Sequence, residues 1–167
     1  MRVVVIGGTG HIGTFLVPRL LALGCEGLSV SRQHREPYHG VSAWKAVHQV
    51  NLDRQAAEAA GEFGSAIRAL KPDVVIDLIC FTPESNRQLV GALRGQVQHF
   101  LHCGTIWVHG HSTEVPTQES AARRPFGEYG LQKAMIEREL LVEARQQGGG
   151  LRKLLPRGLP QVMCLGE

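Results

Sequence analysis

Tyr129 and Lys133 stand four residues apart in Tyr129-Gly130-Leu131-Gln132-Lys133, and on a helix that spacing puts both side chains on one face, one turn from each other. A phenol with a free pKa of about 10 is a poor base near neutral pH. An ammonium group one turn away favours the phenolate and makes the pair a candidate general acid/base. Thr105 lies upstream at the end of an apolar strand, where its hydroxyl is either functional or a cap on local backbone. Any amphipathic helix can carry a Tyr/Lys pair by chance, so the spacing has to be weighed with its surroundings. The other tyrosine, Tyr38, lies in a polar loop with no lysine near it.

The surroundings begin at the amino end. Val3-Val4-Val5-Ile6 is a buried-strand pattern, and Gly7-Gly8-Thr9-Gly10-His11-Ile12-Gly13 is a glycine turn that opens a helix. A glycine at 7 or 8 lets the chain turn tightly, Gly10 lets backbone N–H groups approach a pyrophosphate, and Gly13 lets the helix pack close to the sheet. The helix N-terminus then faces the anion. Two registers fit, Gly8-x-Gly10-x-x-Gly13 and Gly7-x-x-Gly10-x-x-Gly13. Residues 7 to 13 together form the candidate phosphate cradle.

The elements that must position these groups alternate as in a doubly wound parallel sheet. The pattern predicts strands over 3–6, 27–30, 47–52, 74–81 and 97–103, and helices over 12–23, 56–70, 85–93 and 127–147. Gly24 caps the first helix and Pro18 is expected to kink it. Gly61 and Gly64 interrupt the alanine-rich helix over 56–70. A long loop from Gly104 to Phe126 holds Thr105, Trp107 and His109. Trp107 is either a lid over the core or a wall of a substrate pocket.

With Gly7, Gly10, Gly13, Thr105, Tyr129 and Lys133 in this order, residues 1 to about 147 resemble an extended short-chain dehydrogenase/reductase, the NAD-dependent epimerase/dehydratase family. In that family the strand-end Ser/Thr is followed five positions later by Gly, as Thr105 is here by Gly110. His109 departs from the Tyr usually found before that Gly. The resemblance implies a Rossmann-type α/β fold and a hydride-transfer reaction in which Tyr129 is the acid/base. It implies that Thr105 orients the substrate oxygen and that Lys133 also binds the nicotinamide ribose. Ile106-Trp107 stands where nucleotide-sugar 4,6-dehydratases have Asp-Glu, which disfavours water elimination. The expected reaction is therefore oxidoreduction or epimerisation of a small hydroxylated or sugar-like substrate.

Cofactor choice is read after the second strand, where an acid accepts from the ribose hydroxyls of NAD and a basic residue takes the 2′-phosphate of NADP. Ser29-Val30-Ser31-Arg32 offers no acid and a fork-shaped cation, so Arg32 points to NADP over NAD. Asp53, after the third strand, occupies the place where the family contacts adenine.

After residue 147 the match stops, and Gly148-Gly149-Gly150 leads into a stretch without the β-branched run of a sixth strand. The expectation is a dinucleotide-binding domain over 1–147 and an irregular tail over 148–167, an incomplete copy of a parent roughly twice as long. A short natural variant is the alternative, and the parent is expected to allow a homodimer. A non-catalytic dinucleotide-binding protein, sensing redox state or binding RNA or protein, is the rival from another class, because fold does not prove activity, and an inactive fragment is the third alternative.

Lys+Arg 18 against Asp+Glu 15 in 167 residues is a mild, dispersed excess that does not argue for nucleic acid. No apolar stretch is long enough to span a membrane, and Met1-Arg2 runs straight into a strand, so the expected location is cytoplasmic. Cys25, Cys80, Cys103 and Cys164 form no C-x-x-C pair. His99, His102, His109 and His111 lack a carboxylate or cysteine at ligand spacing, so no metal is expected.

Overall fold

The computed structural model describes residues 1–33, 37–111, 115–118 and 120–146. The expected tail over 148–167 lies outside the described residues. Among the described residues five strands, β1 (Arg2–Ile6), β2 (Glu26–Ser31), β3 (His48–Asn51), β4 (Val74–Asp77) and β5 (His99–His102), form one sheet in the order β3-β2-β1-β4-β5. Every pairing is parallel. Among the described residues five helices, α1 (His11–Ala22), α2 (Arg54–Ala59), α3 (Phe63–Ala69), α4 (Pro83–Leu93) and α5 (Gly127–Gln146), connect and flank the strands. This is the doubly wound Rossmann-type arrangement.

β1 is apolar throughout because both faces of the sheet are covered. Val3 and Val5 join Val17 of α1 and Trp44 of a 3-10 turn (Ser42–Ala46) in one core. Val4 and Ile6 join Phe63 and Ile67 of α3 and Leu89 and Leu93 of α4 in the other. Full burial of one such side chain stabilises the fold by about 1.5–3 kcal/mol.

The structure corrects several expected boundaries. The single helix expected over 56–70 is two, α2 and α3, because Gly61 adopts φ +71 between them. The fourth strand ends at Asp77, four residues before Phe81, because the Asp77 carboxylate accepts the Ile79 N–H at 3.2 Å and turns the chain out of the sheet. The fifth is shorter at both ends than 97–103. The loop after it contains a 3-10 turn at Ile106–His109. Gly24, at φ +77, follows α1 as expected, and α1 continues across Pro18.

Candidate active site

Gly7 leaves β1 at φ +83, a left-handed conformation that favours glycine, and its N–H donates to the Val30 carbonyl of β2 at 2.9 Å. Gly10 then caps α1 in extended backbone, donating to the Gly7 carbonyl at 3.0 Å and accepting from the Thr14 N–H at 2.9 Å. A Cβ at Gly13 would lie 2.5 Å from the Gly8 Cα and nearer still to the Gly8 carbonyl oxygen. These contacts select the Gly7-x-x-Gly10-x-x-Gly13 register, because Gly7 carries the turn. Gly8 is required for a different reason: a Cβ there would lie 2.5 Å from the Ser29 hydroxyl.

No side chain caps α1, and its first turn holds no acidic residue. The first-turn amides and the positive helix end are therefore left for an anion, which fits a dinucleotide pyrophosphate. Thr9 and Thr14 are buried beneath this turn, and the Thr14 hydroxyl accepts from the Tyr38 N–H at 3.1 Å. His11 is exposed at the start of α1, its ring 5.6 Å from that of Tyr38, while Ile12 packs on the core.

Arg32 is exposed just past the carboxyl end of β2. Because β1 and β2 pair in parallel, Arg32 and the glycine turn lie at the same edge of the sheet. Asp53 serves as the cap of α2, its Oδ1 accepting from the Ala56 N–H at 3.0 Å.

The catalytic candidates gather beyond β5. Thr105 is buried and caps the 3-10 turn, its hydroxyl accepting from the Trp107 N–H at 3.4 Å. The chain returns to this turn: the Phe126 N–H donates to the Trp107 carbonyl at 3.2 Å, and a Cβ at Gly130 would lie 2.9 Å from that oxygen. Gly130 therefore lets the first turn of α5 press against the 3-10 turn. That contact sets Tyr129, 41% exposed, edge-on to Trp107 with ring centroids 6.2 Å apart. Trp107 thus stands beside Tyr129.

Lys133, one turn further, is buried at 1% exposure. Its Nζ donates to the Cys80 carbonyl at 2.9 Å and the Cys103 carbonyl at 2.6 Å, and lies 3.3 Å from His102 Nε2. Burial pulls the Lys133 ammonium below its ordinary range. Burial also pushes the Cys80 thiol up to about 12 and raises Cys103, so both are inert thiols at neutral pH.

Burial, with the Lys133 and Arg54 charges, holds His102 down at about 3. A folded-state value below the unfolded value of about 6.5 means that the unfolded chain binds the extra proton first. The contribution is complete above about pH 6.5 and is lost as pH falls toward 3. Glu137, raised by burial against the opposing charge of Arg123, acts in the reverse sense, costing stability as pH rises above the ordinary carboxylate range. We therefore expect that between pH 6.5 and 5.5 the parent loses about 1 kcal/mol of stability that His102→Gln does not lose, measured by urea unfolding. Equal losses in the two proteins would show that His102 is not held neutral.

Two buried groups escaped the sequence reading. Asp77, fully buried, accepts from Arg54 Nη1 through both oxygens at 2.8 and 2.9 Å, and Arg54 Nε lies 3.0 Å from the Ser85 hydroxyl and 2.6 Å from Glu58. The signal was available, since a carboxylate inside the run Val74–Phe81 requires a buried cation. Glu137, one turn beyond Lys133, is fully buried and pairs with Arg123.

Among the described residues no group of three or more His, Cys, Asp or Glu is placed to hold a metal ion. No described helix is long and apolar enough to cross a membrane.

Known proteins resemble this chain in sequence and in fold. The chain is 30% identical over 157 residues to 2'-dehydrokanamycin reductase of Streptomyces kanamyceticus, covering 94% of this chain and 42% of that protein. A crystal structure of UDP-galactose 4-epimerase superposes with a TM-score of 0.72 at 25% identity, over 91% of this chain and 54% of that one. The Thermus thermophilus UDP-glucose 4-epimerase complex with NAD superposes with a TM-score of 0.72 at 24% identity, over 89% and 52%, a likeness of fold. The chain thus spans about half the length of these relatives. Residues 3–157 match the model of one family, and on that match the chain belongs to the NAD dependent epimerase/dehydratase family.

Proposed function

We propose that these residues form the dinucleotide-binding half of an oxidoreductase or epimerase for a small hydroxylated or sugar-like substrate. The observation that carries the reading is a convergence at one sheet edge. The glycine turn follows β1 and Thr105 follows β5, both at the carboxyl ends of parallel strands where such folds bind ligands. α5 adds Tyr129 and Lys133 to the same region.

Gly7, Gly8, Thr9, Gly10, His11, Ile12 and Gly13 would hold the pyrophosphate, with Asp53 toward adenine and Arg32 toward a 2′-phosphate. A bound nicotinamide supplies or accepts the hydride. Tyr129 moves the proton at the substrate oxygen, Thr105 orients that oxygen, and Lys133 contributes positive charge beside the phenol. The names of the relatives, 2'-dehydrokanamycin reductase, UDP-galactose 4-epimerase and UDP-glucose 4-epimerase, agree with such a substrate class.

Binding is the appropriate first test, because the relatives are about twice as long. Calorimetric titration should give tighter binding of NADPH than NADH, by about 1–3 kcal/mol if Arg32 makes a charge-assisted contact with the 2′-phosphate. Arg32→Ala should abolish that preference, and Gly10→Val should weaken both ligands while the far-ultraviolet circular dichroism is unchanged. Parental affinity in Gly10→Val would remove the cradle assignment. A preference for NADH, or an unchanged preference in Arg32→Ala, would remove the NADP assignment alone.

A further inference from the structure

An ammonium group has three hydrogens to donate, and Lys133 has three acceptors around it. Two are main-chain carbonyls, of Cys80 after β4 and Cys103 after β5. The third is the ring of His102, the last residue of β5 and the register partner of Asp77. We propose that His102 is a positioning residue for Lys133, accepting the third ammonium hydrogen at Nε2 and fixing the charged head group between the ends of β4 and β5. The inference rests on the role given to Lys133 above and names a residue that this role requires.

The surrounding charges show why a third acceptor matters. Asp77 of β4 is engaged through both oxygens by Arg54 of α2, and Glu137 of α5 is paired with Arg123. Cys80 and Cys103 remain thiols, since burial raises both. None of these four side chains makes a hydrogen bond to Lys133 Nζ, whose hydrogen-bond partners are two carbonyl oxygens and a ring nitrogen. An ammonium N–H without an acceptor in this buried position favours loss of the proton, and the side chain would then lose the charge that its role beside Tyr129 demands. His102 suits the task because it stays neutral down to acid pH and so presents an unprotonated ring nitrogen. Its other nitrogen, Nδ1, has no partner among the described residues, so the ring's one polar contact there is with Lys133.

The test is nuclear magnetic resonance on the full chain, labelled with ¹⁵N at histidine and with ¹⁵N and ¹³C at lysine, from pH 5 to 10.5. The parent should show His102 as the Nδ1–H tautomer, with Nε2 unprotonated and accepting. His102→Phe should lower the titration midpoint of the Lys133 ammonium by about one pH unit or more, a tenfold change in its proton affinity. His102→Gln, whose side-chain carbonyl can accept the same hydrogen, should restore the parental midpoint.

A hydrogen on Nε2 in the parent, an unmoved midpoint in His102→Phe, or a glutamine variant as depressed as the phenylalanine one would each overturn the proposal. The tautomer is read on the parent alone, so the test stands even if His102→Phe fails to fold. Titration of the labelled parent with NADPH separates this inference from the functional reading. Lys133–His102 coupling without dinucleotide binding contradicts the function and leaves the positioning role, whereas binding with hydrogen on Nε2 contradicts only the positioning role.

Discussion

Replacing Arg54 by Met should lower the unfolding free energy by about 3–5 kcal/mol, a large part of the total for a domain of this size. Asp77 has no exposed surface, and both of its oxygens are held by Arg54. Removing the guanidinium leaves a buried carboxylate that must either remain uncompensated or take up a proton. The damage also reaches the candidate site. Asp77 turns the chain after β4, and three residues later the Cys80 carbonyl receives Lys133. The double variant Arg54→Met/Asp77→Asn removes both charges of the buried pair, keeps an acceptor for the Ile79 N–H and should recover part of the loss, with Glu58 still deprived of its cation. Urea unfolding of the parent, the single and the double variant measures this. Equal stability of parent and Arg54→Met would show that the pair contributes nothing, and a double variant no better than the single would place the loss in packing instead of charge.

Gly13→Ala is expected to be comparably severe, costing about 3 kcal/mol and abolishing dinucleotide binding. The added Cβ would meet the Gly8 Cα and carbonyl, which are backbone atoms with no rotamer to change. Relief requires moving α1 away from the turn that it caps. Gly91→Ala is the matched control. Gly91 lies in α4, nothing stands within 4 Å of an added Cβ, and the substitution should stabilise by about 0.5–1 kcal/mol through lower unfolded-state freedom and better helix propensity. Opposite signs at two helical glycines follow from their surroundings alone. Thermal and urea unfolding read both, and a tolerant Gly13→Ala would contradict the close approach.

The local code was legible where short-range physics decides the outcome. β1, the glycine turn and α1 follow from an apolar run, residues without Cβ and a helical stripe, each readable within a dozen residues. Strand ends were less legible because they depend on partners far away. Val74–Phe81 has the composition of one long strand, yet Asp77 ends it through a bond to Ile79 and a buried ion pair with Arg54, 23 residues earlier. The Tyr129/Lys133 pair was visible as a spacing, but its burial split was not. Tyr129 is substantially exposed and Lys133 is sealed, because α5 packs its Lys133 side against the loop after β4 and the end of β5. His102 was noted only as one histidine among four. Its contact with Lys133 depends on β5 pairing beside β4, which no spacing in the chain encodes.

The central claim is that the turn after β1 holds a dinucleotide whose nicotinamide end lies by Tyr129 and Lys133. Amide and lysine resonances of the labelled chain, followed during titration with NADPH, test it most directly. Saturable shifts are expected at the amides of residues 8–14 and at Lys133 Nζ, with one common dissociation constant, and none at Gly91 near the end of α4. Shifts confined to other regions, or no saturable shift at the glycine turn, would contradict it.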